Sequence, residues 1–158
     1  MVERTIPGKP RPASPERGDS MTEAELNQLS SQIIKAAINI HKELGPGLFE
    51  SVYSACMVIE LANMGLNVKS EVPLPVVYRG QTVAEEGFRL DLLVEDTIVV
   101  ELKSVEKIQP VHQKQLLTYL RLANKPLGLL INFNEPTLSS GVQRILNTPL
   151  GVAVPRSG

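Results

Sequence analysis

Arg89-Leu-Asp-Leu-Leu-Val-Glu-Asp-Thr-Ile-Val-Val-Glu-Leu-Lys-Ser104 is the stretch on which the fold turns. It reads as two β-strands joined near Glu95-Asp96, and its second half is rich in β-branched residues. Residues two apart on a strand share a face, so Glu101 and Lys103 point the same way. Asp91 joins them only if the loop holds an odd number of residues. A three-residue loop, Glu95-Asp96-Thr97, sets Asp91 opposite Glu101 and Arg89 opposite Lys103. The same register gathers Leu90, Leu92, Val94, Ile98, Val100 and Leu102 on the other face, an apolar set suited to lie under a helix. The hydrophobic pattern therefore favours the odd loop, and with it two carboxylates and an amine held together.

Outward from this hairpin, the chain alternates helices and strands. Thr22 with Glu25 has the capping-box form, and Leu26, Leu29, Ile33, Ala37, Ile40 and Leu44 recur at helical spacing. Gly45-Pro46-Gly47 stops that helix. A second begins near Leu48, with Val52, Cys56, Ile59 and Ala62 as its apolar positions and Gly65 at its end. Val68 to Val77 is extended, and Pro73 and Pro75 make it an edge or irregular strand. Tyr78-Arg-Gly-Gln81 is a turn, and the segment from Val83 leads into the hairpin. Pro110 opens a third helix, with Leu116, Leu117, Leu120 and Ala123 as its buried stripe before Asn124-Lys125-Pro126 breaks it. Leu127 to Phe133 is a short apolar strand, and Gly141 to Asn147 adds one more strand or turn. A strand at Ile98–Lys103, a helix and a strand at Leu127 make a crossover whose strands run parallel.

The expected fold is α/β: a mixed sheet flanked by helices, with two helices preceding it. Residues 1–21, rich in Pro, Gly, Ser and charge, read as a disordered tail, residues 22–148 as one domain, and 149–158 as a frayed end.

Composition narrows the function. The chain has 158 residues, 42% hydrophobic and 21% charged, enough for one domain with a real core. Its net charge of −1 offers no global positive field to nucleic acid, so any such binding relies on a local patch. The single cysteine excludes an internal disulfide and a cysteine-based zinc site. No apolar run approaches the ~20 residues of a membrane span, and Arg4 is followed by no apolar signal segment, so a cytoplasmic protein is expected.

Two carboxylates held together repel, and a hard divalent cation relieves that repulsion while leaving room for water and a phosphate oxygen. Magnesium is the simplest occupant. Lys103 beside it would position a water or stabilise negative charge on a phosphate under attack. The competing explanation is a solvated ion pair worth ~0–1 kcal/mol.

Four elements in order decide between these explanations. They are Ile40-His-Lys-Glu-Leu-Gly-Pro-Gly47 with Gly47, Glu50 and Tyr53, then Asp91, then Glu101-x-Lys103, then Gln115-Leu-Leu-Thr-Tyr119. On these the chain resembles the PD-(D/E)xK nuclease superfamily, and within it the small bacterial GxxExxY proteins, over about residues 26 to 147. The Gln-x-x-x-Tyr element is similar to that of the RecB-like branch. The resemblance implies a restriction-endonuclease-like fold and hydrolysis of phosphodiester bonds with Mg²⁺ or Mn²⁺. It also implies Glu50, Asp91, Glu101 and the Leu102 carbonyl as metal ligands, Lys103 as the catalytic lysine, and Gln115 and Tyr119 as residues orienting Lys103 or the phosphate. Leu90 stands where the superfamily usually has proline.

Structural roles compete at several positions. Glu50 suits a helix N-terminus without any metal, Tyr53 suits a half-buried core, and His41 suits a hydrogen-bonded core histidine. Lys107, Lys114, Arg121 and Lys125 fit either a phosphate track or a solvated helix face. Nucleic acid is the expected partner, DNA ahead of RNA. A homodimer through the edge strand or first helix would enlarge the grip of so small a domain on a duplex. The rival functions are a non-catalytic binding or assembly module on the same fold, and a phosphodiesterase acting on small molecules. With 4% aromatics, stacking platforms for single strands are sparse.

Overall fold

Helix α1, Glu23–Leu44, starts where the sequence places it: Thr22 N donates to Glu25 Oε1 at 2.9 Å, and Glu25 N donates to Thr22 Oγ1 at 3.1 Å. This closes the reciprocal capping box. The computed structural model describes residues 21–147, so the segments expected to be a tail and a frayed end lie outside the described residues, apart from Met21, which packs against the core. The expected stripe of α1 is buried at Leu29, Ile33, Ala37 and Ile40, and Ala36 joins it. Leu44 is exposed, because the helix ends there and the chain turns away through Gly45 and Gly47, both at positive φ.

Helix α2, Glu50–Asn63, corrects the expected stripe. It buries Tyr53, Met57 and Leu61, four apart, while Val52 is 39% and Ile59 61% exposed. Both registers have helical spacing, but the face carrying the larger side chains is the one fully buried, and of the expected set only Cys56 packs partly against that core. The end of α2 follows the sequence. Gly65, at φ 80°, donates to Ala62 O at 3.0 Å, and Leu66 N donates to Leu61 O at 3.0 Å, the paired bonds of a Schellman motif.

Strand β1 is Val68–Pro73, β2 Val76–Tyr78, β3 Gln81–Ala84, β4 Arg89–Val94 and β5 Ile98–Lys103; helix α3 is Pro110–Ala123, β6 is Leu127–Asn132 and β7 is Val142–Leu146. A five-stranded sheet runs β1-β4-β5-β6-β7, and β2 with β3 forms a separate hairpin. The β5–β6 pair is parallel and the other neighbours are antiparallel, so the expected crossover and mixed sheet are present. The segment read as continuous from Val83 into the hairpin is broken at residues 85–88.

Two cores sandwich the sheet. On one face α1 and α2 pack on Leu92, Val94, Ile98, Val100 and Leu102. On the other, α3 presses Leu116 and Leu120 against Leu93, Val99 and Leu130. Gly128 on β6 permits this approach, since a Cβ there would stand 2.9 Å from Leu116 Cδ1. Leu90 departs from the expected set and joins the α3 side. The regular β4–β5 ladder ends at Leu92, so the alternation of faces does not carry through to it.

Candidate active site

The three-residue loop is as expected. The pairs Val94↔Ile98, Leu93↔Val99 and Leu92↔Val100 bring Asp91 and Glu101 face to face at the next step. There the backbone ladder stops and side chains replace it. Asp91 N donates to Glu101 Oε2 at 2.8 Å, and Leu102 N donates to Asp91 Oδ2 at 2.8 Å. Each carboxylate thus spends one oxygen on the opposite strand's backbone, which fixes its position without a cation. Among the described residues nothing donates a hydrogen bond to the second oxygen of either. The ladder does not reach the expected Arg89–Lys103 pair.

Alternate residues of a strand turn their backbone groups to opposite neighbours. Phe133 N donates to Lys103 O at 2.9 Å, which assigns Lys103 to the β6 side. The Leu102 groups therefore turn to the β4 side: its N–H meets Asp91, and its carbonyl faces the gap where the ladder has ended.

Glu101 is only 6% exposed. Burial above all, then the Asp91 charge, pushes its carboxyl up to about 8, and the Lys103 charge opposes this only in part. Asp91 is raised as well, chiefly by burial. The Glu50 charge adds to both shifts, which brings the start of α2 into the field of the pair. Burial raises the Tyr119 phenol, with smaller contributions from Glu101 and Asp91, so α3 also faces the acids through this residue.

Glu50 is held beside the end of β5: Ser104 N donates to its Oε2 at 3.3 Å, and Ser104 Oγ donates to Leu48 O at 2.6 Å. Tyr53 fixes the turn before it. Its hydroxyl donates to Gly45 O at 2.6 Å and accepts from Leu48 N at 3.1 Å, while its ring stacks on Phe133 at 4.2 Å. The Gly47, Glu50, Tyr53 spacing thus acquires a physical reason: the glycine turns the chain, the tyrosine clamps the turn, and the glutamate between them is aimed at β5. Tyr53 is wholly buried, and His41 lies in the core with Nε2 2.8 Å from Glu135 O. Gln115 is exposed, and its side chain makes no hydrogen bond among the described residues. Lys125 is tied to Asp96 at 3.2 Å, at the hairpin turn, away from the acids.

Two positioning residues were not read from the sequence. Ser104 is one. Asn132, fully buried, is the other: its Oδ1 accepts from Val105 N at 3.1 Å and its Nδ2 donates to Val105 O at 2.9 Å, which pins the chain just after Lys103. A lone polar residue closing the apolar run Leu127–Ile131 was the available signal.

The donor set suits a hard divalent cation: two acidic oxygens left open beside a backbone carbonyl, on groups that burial and repulsion make reluctant to ionise alone. Among the described residues no group of three or more His, Cys, Asp or Glu side chains is close enough to hold an ion by itself.

Residues 27–145 match the family model described as the PD-(D/E)XK nuclease superfamily, most of the chain, and the protein belongs to that superfamily. The mixed sheet preceded by two helices agrees with its restriction-endonuclease-like fold. No curated protein and no solved structure gives a significant match. Members of the superfamily are usually metal-dependent nucleases, which supports a nuclease-type function here. No helix among the described residues is long and apolar enough to cross a membrane.

Proposed function

We propose that this protein is a Mg²⁺- or Mn²⁺-dependent nuclease of the GxxExxY type, with a RecB-like Gln-x-x-x-Tyr helix, acting on DNA ahead of RNA. The observation that carries the reading is the reciprocal bonding of Asp91 and Glu101 across an interrupted ladder, which holds a half-buried and a buried carboxylate side by side next to Lys103. Asp91, Glu101 and the Leu102 carbonyl would hold the ion, with Glu50 as a further acidic group. When bound, the ion supplies charge neutralisation at the scissile phosphate.

Hydrolysis requires a water oxygen to bond to phosphorus as the ester P–O bond breaks. Lys103, on the face of Glu101, is suited to orient that water and to stabilise the negative charge growing on the phosphate oxygens. Tyr119 would orient the phosphate or Lys103, and Gln115, one turn earlier on α3, would reach the substrate from solvent. A homodimer through an edge strand or α1 would widen the contact. A solution mass equal to the 17.3 kDa monomer at working concentration would remove that element alone.

The test is hydrolysis of labelled single- and double-stranded DNA and RNA with Mg²⁺, Mn²⁺ or EDTA, comparing wild type with Glu101→Ala and Lys103→Ala. Metal-dependent cutting by the wild type, lost in both variants, is expected. A folded, metal-loaded wild type that cuts none of the substrates would overturn the catalytic reading in favour of a binding module.

A further inference from the structure

The chain has three phenylalanines, three tyrosines and no tryptophan. Tyr53 and Phe133 stack on each other in the core, but Phe49 is 82% and Phe88 43% exposed. Isolated surface rings are ordinary. These two are distinguished by position, for each is anchored through its backbone beside the acid pair while its ring stays open.

Phe88 immediately precedes β4, two residues before Leu90 and three before Asp91. Its carbonyl accepts from Leu74 N at 2.9 Å. Its ring meets that of Tyr119 edge-on, with centroids 6.4 Å apart and planes at 66°. Tyr119 in turn lies within the field of Glu101 and Asp91. Phe49 is the N-cap of α2, and both its neighbours are bonded to Ser104, the residue after Lys103. One ring is therefore tied to α3 through Tyr119, and the other stands at the start of α2 beside the residue that follows Lys103.

We infer that Phe88 and Phe49 are stacking platforms for unpaired bases on either side of the scissile phosphate, so that the site selects single-stranded nucleic acid. The inference rests on the nuclease reading above. A duplex hides its base faces and is gripped mainly through phosphates, which calls for a broad positive surface. A chain of net charge −1 offers little of that, whereas every unpaired base has a face to stack. The sparse aromatic content argued against stacking from composition, but location outweighs number: the rings not used by the core include the two that flank the site.

The test is fluorescence anisotropy of labelled single strands and duplexes of matched sequence, in EDTA and in Ca²⁺. The proteins are wild type, Phe88→Leu, Phe49→Leu, Phe88→Tyr and Phe49→Tyr, each checked by thermal melting and light scattering. Wild type should bind single strands more tightly than duplex. Each leucine variant should lose roughly 5- to 50-fold in single-strand affinity, as expected for the loss of one stacked base, and each tyrosine variant should stay within about twofold. Duplex binding should not change. Equal wild-type affinity for both forms, or leucine variants that bind single strands as wild type does, would overturn the inference. So would conversion of a dimer to a monomer by Phe49→Leu, which would make that ring a subunit contact. If duplex is cut and the leucine variants behave as wild type, only this inference falls; if wild type neither binds nor cuts any strand, the nuclease reading falls with it.

Discussion

Among the described residues Glu101 is the carboxyl pushed furthest from its ordinary range, and the sign of that shift yields a direct prediction. In the unfolded chain its carboxyl titrates near the ordinary 4.5, and in the folded metal-free protein near 8. Between these values the folded state holds a proton that the unfolded state has released. The stability this contributes is complete below about 4.5 and is lost as pH rises through about 8. Asp91, also raised, acts in the same direction. The metal-free protein should therefore melt several degrees lower at pH 9 than at pH 5, roughly 5–10 °C for a few kcal/mol in a domain of this size. Glu101→Gln should flatten that slope and raise the melting temperature at pH 9. Calorimetry in EDTA checks it; a slope equal in wild type and variant would show that Glu101 does not titrate in this way.

At the scale of elements, two contacts set where the site's parts stand. Tyr53→Phe removes both hydroxyl bonds of the Gly45–Leu48 turn while leaving the stack on Phe133. Loss of about 1–3 kcal/mol is expected, read from urea unfolding, because the Leu48 N–H and Gly45 carbonyl lose their partner. Activity should fall further than stability accounts for, since that turn aims Glu50. Gly128→Ala sets a methyl group against Leu116 at a separation real side chains do not adopt, so α3 must shift or Leu116 must rotate. A cost of about 1–3 kcal/mol is expected, with altered fluorescence of Tyr119 on the displaced helix. Unchanged stability would mean that the flexible end of Leu116 yields without cost.

At the scale of the whole molecule, the sheet and its two cores hold mutually repelling acids in place, so a bound cation should return stability to the fold. Millimolar Mg²⁺ or Mn²⁺ should raise the melting temperature at pH 8, by an amount that grows with the logarithm of concentration above Kd. Because the ion competes with the proton on Glu101, the shift should shrink towards pH 5. Glu101→Ala should abolish it, and a stabilisation equal in wild type and Glu101→Ala would place the ion elsewhere.

What the sequence determined by itself was periodic or local. The capping box at Thr22, the Schellman glycine at Gly65, the proline opening α3 and the odd hairpin loop depend on residues only a few positions apart, and each is present. The order of strand, helix and strand dictated a parallel pair, and a continuous ladder placed Glu101 and Lys103 on one side. Tertiary structure decided which of two helical registers in α2 is buried, because Val52, Cys56 and Ile59 match the helical period as well as Tyr53, Met57 and Leu61 do. It also decided the side taken by Leu90, where the ladder ends, and the roles of Ser104 and Asn132, whose partners lie far away in the chain. Periodicity reports only that one face is apolar; which face meets a neighbour, and which carboxylate loses its water there, depends on atoms that only the folded chain brings together.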